Sequence, residues 1–301
     1  MAEPTHLPTA ALEVALEARA RLGEGPVWDG LTGSLRWVDI MGQRVHQFSP
    51  RTGEDQSFAT PSPVGSVALR EDGGLVLALA TGFALADSDG GGLQDVIGFS
   101  IDASVVRFNE GKADPWGGYC AGTMHWTGQL PCGALYRLAP DLVVTEMVPG
   151  VMCSNGLDWS DDLASLYYID TPTQAVDRFR VDPDTGQLLG RERLLPVEGP
   201  GVPDGMTLDE EGCLWVALWG GGEVRRYTPG GRVDRIISLP VSLVTSVAFG
   251  GENLDELYIT TANEGLSPRA RLAEPHAGDL FCCVPGMRGR ASSRFHSGHT
   301  Q

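Results

Sequence analysis

Residues 152–160 read MCSNGLDWS, and behind them come an acidic turn (160–164, SDDLA), an alternating apolar strand (164–171, ASLYYIDT) and a further strand (175–183, AVDRFRVDP). The same succession of short apolar strand, turn rich in Asp, Glu and Gly, and period-2 strand recurs along the chain. GEGPVWD at 23–29 leads through DGLTG into GSLRWVDI at 33–40, and PDGMTL at 203–208 leads through DEEG into GCLWVALW at 212–219. SVAF at 246–249 leads through GENLD into ELYITT at 256–261, and residues 65–80 (GSVALREDGGLVLALA) fit the same template. A third strand often closes the unit, as in RVHQFSP (44–50) and EVRRYTP (223–229).

Aligned on this repeat, Glu24, Gly65, Asp114, Asn155, Asp204 and Thr245 share one phase, at intervals of roughly 40–50 residues, the spacing of propeller blades. Six units fill the 301 residues. The expectation is an all-β, six-bladed β-propeller, one domain over 1–301 with an ordered core from about 12 to 286. Residues 10–22 (AALEVALEARARL) have a helical composition. Leu12, Val14 and Leu16 nevertheless alternate, and a propeller needs an N-terminal strand to close its last blade, so a strand is expected there. The tail after Gly286 (MRGRASSRFHSGHTQ) is polar and small and is expected to fray.

The 40 glycines and 20 prolines, without a collagen period, suit a protein of many short strands. A formal net charge of −17 argues against nucleic acid or an anionic membrane as partner, because phosphate contact demands clustered Lys and Arg. No apolar run is long enough to span a bilayer, and the N-terminus lacks a signal core, so a cytoplasmic protein is expected. The six cysteines lack CxxC spacing, which disfavours a zinc knuckle or an ordered disulfide framework. The oligomeric state stays open between a monomer and a weak dimer.

In a propeller, residues of one phase in different blades converge at one end of the central channel. Glu24, Asn155 and Asp204 each carry a ligand-type oxygen just ahead of a glycine. Two carboxylates and an amide carbonyl make a hard, all-oxygen site suited to Ca²⁺, Mg²⁺ or Mn²⁺, with positions left for water. Taken singly, Asn-Gly and Asp-Gly are ordinary turn dipeptides; three at one phase favour a site. Residues 107–124 (RFNEGKADPWGGYCAGTM) read as a polar, glycine-rich loop between the second and third blades, with Arg107 and Asn109 facing either a ligand or solvent. No GxSxG elbow is present, which disfavours a serine-hydrolase triad. Trp126 and Trp219 lie near the channel end, where they would wall a pocket.

Taken in order, LGEGPVWD (22–29), RFNEGKADPWGGYCAGTM, SNGLDWS (154–160), PDGMTLDEEGCLWVALWGGGEVRRYTP (203–229) and TSVAFGGENLDELYITTANEGLSP (245–268) resemble the regucalcin/gluconolactonase family of six-bladed propeller sugar lactonases. The resemblance implies that Glu24, Asn155 and Asp204 are divalent-metal ligands and that Asp204 is also the general base. It implies Arg107 and Asn109 as substrate contacts, with Thr127 as a third at the rim. The implied cofactor is one divalent cation, Ca²⁺ or Zn²⁺ first, with Mn²⁺, Mg²⁺ or Fe²⁺ as alternatives. The implied reaction is metal-dependent hydrolysis of a small sugar lactone such as gluconolactone to the aldonic acid. A non-catalytic calcium-binding scaffold and a phosphotriesterase-like esterase stay open beside it. The chain departs from the family pattern at Glu110, where many members have Asp, and at Gly118, where many have Arg. It also departs at His125–Thr127, where some members carry acidic residues.

Overall fold

A computed structural model describes residues 4–7 and 12–296. Six antiparallel sheets follow one another along the chain, giving the expected six-bladed β-propeller. Their innermost strands are Gly23–Asp29, Val64–Leu69, Val106–Ala113, Ser154–Trp159, Val202–Leu208 and Val244–Gly250. Successive strands of each blade step outward, and the period-2 sequences bury both faces of the inner strands because blades stack against blades. Trp37 and Trp215 lie fully inside this packing, with Trp28 and Trp159 nearly so.

The N-terminal strand Leu12–Leu16 pairs antiparallel with Leu280–Cys283 and becomes the outermost strand of the sixth blade. Helical propensity here amounts to a few tenths of a kcal/mol per residue, which closure of the ring outweighs. Thr5–Leu7 adds a parallel edge to the fifth blade beside Val233–Ser238, a strand the repeat does not announce. The short α-helix Pro268–Ala273 starts at Ser267, whose hydroxyl accepts from the Ala270 N–H at 3.2 Å. Among the described residues no helix is long and apolar enough to cross a membrane.

Two expectations are corrected. Residues 107–124 are not a loop but parts of two strands, Val106–Ala113 and Tyr119–His125, joined by a turn. Their polarity reflects a place beside the axis, where polar side chains face the channel rather than the core. The tail after Gly286 is held down as far as residue 296. Phe295 is fully buried, its N–H donates to Leu69 O at 2.8 Å, Arg290 reaches Asp158 at 3.2 Å and Arg294 pairs with Asp29. Small side chains let this segment cross the lower end of the channel; residues 297–301 lie outside the described residues. Phe295→Ala should therefore cost about 3 kcal/mol in denaturant unfolding, whereas a frayed tail would give no change.

Candidate active site

Every innermost strand carries a register break at the same level: between Glu24 and Val27, Val64 and Ser66, Phe108 and Gly111, Ser154 and Leu157, Pro203 and Met206, and Val244 and Ser246. A β-bulge re-aims the side chain at the break, and five of the six breaks carry one toward the axis, the second blade having a glycine there. The shared phase is therefore Glu24, Gly65, Asn109, Asn155, Asp204 and Thr245. In the third blade it falls on Asn109 and not on Asp114, which lies at the far end of that strand. There Asp114 pairs with Arg137 and accepts from the N–H groups of Trp116 and Gly118, both at 2.8 Å.

Gly25, after Glu24, takes a left-handed backbone (φ 54°), whereas Gly156 and Gly205 serve close packing. A Cβ on Gly156 would stand 2.6 Å from the Met206 Cβ, and one on Gly205 would stand 2.1 Å from the Ser246 hydroxyl. Inner strands can approach one another around the axis only without those side chains. In the third blade the equivalent residue is Glu110, buried with its Oε2 accepting from Ser246 Oγ at 3.0 Å. Thr245 is committed to structure, donating to Gly23 O at 2.6 Å across the junction of the last and first blades.

Glu24, Asn155 and Asp204 line one cavity of about 410 Å³ together with Arg107, Asn109 and Thr127. All but Thr127 are buried. Asn155 is oriented by a residue the sequence did not suggest. Thr171 donates its single hydroxyl hydrogen to Pro203 O at 2.9 Å, so it can only accept from Asn155, whose Nδ2 lies 2.8 Å away. The amide is thereby locked with Oδ1 turned from Thr171. Asn109 Nδ2 donates both to that Oδ1, at 3.1 Å, and to Ser154 O, at 2.9 Å. Arg107 Nη1 in turn donates to Asn109 Oδ1 at 2.7 Å and to Phe108 O at 2.9 Å. Asn109 thus bridges Arg107 to Asn155 with both amide hydrogens engaged.

Burial pushes the carboxyl of Glu24 well above its usual range, and the nearby charges of Asp204 and Glu110 push it further. Asp204 is likewise raised by burial and by Glu110, against the pull of Arg107 and of a hydrogen bond with Asn155. Burial raises Glu110 too, opposed by Lys112 and by Ser246. Two desolvated carboxyls, Glu24 and Asp204, thus face the one guanidinium of Arg107, with the Glu110 carboxyl adding negative charge from below. That imbalance fits a divalent cation bound through oxygen, with the Asn155 amide beside the same two carboxylates. No group of three His, Cys, Asp or Glu side chains in metal-binding geometry occurs among the described residues; the set here has two carboxylates and an amide. Glu110 lines a separate small space lower in the channel with Lys112 and Ser246. Sequence spacing did not mark it, because Glu110-Gly111 stands one residue past the axial position of the third blade.

Thr127 sits at the exposed rim. Its backbone N–H donates to His125 Nδ1 at 3.2 Å, which leaves that nitrogen an acceptor and makes the Thr127 hydroxyl, 2.9 Å away, a donor to it as well. Trp126 lies across Arg107, whose guanidinium carbon is 5.9 Å from the ring centroid. Trp219 lines the cavity from the fifth blade.

Comparison with known proteins gives the family and the fold. A family model described as "SMP-30/Gluconolactonase/LRE-like region" matches residues 22–263. Regucalcin of Homo sapiens is 40% identical over 278 residues, covering 90% of this chain and 93% of that protein. A Bacillus subtilis (strain 168) protein provisionally named sugar lactone lactonase YvrE is 39% identical over 274 residues, covering 90% of this chain and 94% of that one. The crystal structure of regucalcin from Agrobacterium tumefaciens C58, described as a calcium-binding protein, superposes with a TM-score of 0.92 at 28% identity, covering 97% of this chain and 99% of that one. A luciferin-regenerating enzyme superposes with a TM-score of 0.86 at 31% identity, covering 94% and 98%. With the family model matched over most of the chain and 40% identity to regucalcin of Homo sapiens, this chain belongs to the SMP-30/gluconolactonase/LRE-like family.

Proposed function

We propose that this protein is a divalent-cation-dependent lactonase that opens sugar lactones such as gluconolactone to the aldonic acid. The observation that carries this is the convergence in one cavity of Glu24, Asp204 and the Asn155 amide, held by Thr171, beside Arg107. A Ca²⁺ or Zn²⁺ ion held by Glu24, Asn155 and Asp204, or Mn²⁺, Mg²⁺ or Fe²⁺ in its place, would supply Lewis acidity to the lactone carbonyl.

Asp204 takes a proton from the attacking water as its oxygen bonds to the carbonyl carbon, and returns it to the ring oxygen when the carbon–oxygen bond breaks. Arg107 orients the lactone through the N–H groups that have no protein partner among the described residues, with Asn109 fixing its plane from behind. Thr127 offers its hydroxyl oxygen at the rim. The chain is proposed to act as one domain. A cytoplasmic setting is supported by six free cysteines, none of them paired in a disulfide.

The direct test is acid release from gluconolactone, read by a pH indicator, after chelation and re-addition of single metals. Full activity in stripped protein would end the proposal, as would inertness with every metal. Because Thr171 fixes the Asn155 amide, Thr171→Val should weaken cation affinity by about 10- to 100-fold in calorimetric titration with Mn²⁺. Thr171→Ser should restore it, and an unchanged affinity in the valine variant would remove Asn155 from the ligand set.

A further inference from the structure

Above the axial groups the cavity walls are apolar. Leu22, Met124, Trp126, Pro172, Val202 and Trp219 reach it from four different blades. The polar groups among them are largely engaged. Both amide hydrogens of Asn109, the hydroxyl hydrogen of Thr171 and that of Thr127 already have partners. Among the described side chains lining the cavity, Arg107 is the one that offers unengaged donors, and Trp126 covers one side of it. A polyhydroxylated lactone would bring a hydroxyl on nearly every ring carbon into this space. Each one buried without a partner forfeits about tenfold in affinity. The volume, about 410 Å³, exceeds that of a bare five- or six-membered lactone.

From this mismatch we infer that the preferred substrates are lactones bearing an alkyl or aryl substituent, which lies against Trp126, Met124 and Trp219 while the ring carbonyl faces the axial carboxylates. This rests on the lactonase assignment and departs from it in substrate class, placing alkyl- or aryl-substituted lactones above sugar lactones. The wall contributes through area removed from water, at about 0.8 kcal/mol per buried methylene, so kcat/KM should rise about fourfold for each carbon added until the cavity is filled.

The experiment measures kcat/KM of the full chain, with saturating Mn²⁺, for δ-valerolactone, its 5-methyl, 5-propyl and 5-pentyl derivatives, and δ-gluconolactone. We expect a climb along the alkyl series, the pentyl compound at least tenfold above gluconolactone, and a flattened climb in Trp126→Ala. A parallel titration follows tryptophan fluorescence with 3-alkylcyclohexanones, which present the carbonyl and substituent in the same relative positions but cannot be hydrolysed. Binding that strengthens with chain length supports the apolar wall whether or not any lactone turns over. If gluconolactone exceeds the alkyl lactones, or affinity is indifferent to chain length, the inference is wrong and the lactonase assignment stands. If ketone binding follows the series but no lactone is hydrolysed with any metal, the lactonase assignment fails and the wall remains.

Discussion

Asp204→Ala should lower lactone hydrolysis by about 10³-fold and at the same time raise the melting temperature of the metal-free protein. The two effects have one cause. Asp204 is buried among the carboxyls of Glu24 and Glu110 with Arg107 as the neighbouring counter-charge, and burial raises its pKa well above the usual range. Without a cation, such a group is a cost to folding, since a desolvated charge must either be neutralised by a proton or repel its neighbours. Removing it relieves that cost while deleting the proposed cation ligand and proton acceptor. Asp204→Asn separates the two roles, because the amide keeps an oxygen for the cation but cannot take a proton from water. Measurable Mn²⁺ binding in the asparagine variant, together with lost turnover, is the expected pattern. Turnover within tenfold of the parent would show that Asp204 is not the base.

The second large effect is a reversal in how stability depends on pH. Glu24 and Asp204 both have folded-state pKa values raised by burial above those of the unfolded chain. Between the ordinary carboxylate range and the raised values, the folded protein therefore holds more protons than the unfolded one. Stability then falls as pH rises through that interval. In chelator, the melting temperature should decline from about pH 5 toward pH 8. A divalent cation binds the deprotonated form, so its addition should help more at pH 8 than at pH 5. At a hundredfold excess over Kd the gain is about 2.7 kcal/mol, or roughly 5 °C for a chain of this size. Activity should vanish in the chelator and return with the metal. A melting temperature that rises with pH in chelator would show that these carboxyls are already compensated by the protein.

The interior of the channel connects these predictions to the fold. Lys112 reaches Asp158 at 2.9 Å and Met206 O at 3.2 Å, and Arg290 from the C-terminal segment meets the same aspartate. Positive charge on the lower axis is thus neutralised locally and is not available to Glu24 or Asp204. The upper cluster keeps its excess of negative charge, which is the condition for holding a cation.

Much of this architecture is legible in the amino-acid sequence alone. Strand period and turn chemistry are local properties of the backbone, so ASLYYIDT or GCLWVALW announces a blade strand wherever it occurs. Repetition of the unit then sets the blade number, and the recurrence of oxygen followed by glycine marks Glu24, Asn155 and Asp204 as companions. What only the tertiary structure decided concerns relations between distant segments. The third blade's axial residue is Asn109 because the bulge lies there, and strand pairing rather than sequence spacing sets the position of a bulge. Residues 107–124 read as a loop because their polarity faces a channel that exists only once six strands surround it. The tail is anchored because Phe295 finds a cavity beside Leu69, more than two hundred residues away in sequence. Thr171 became visible as the lock on Asn155 only when Pro203 O took its one hydrogen. Local pattern determines which elements form; the destination of each hydrogen bond depends on which blade comes to stand beside which.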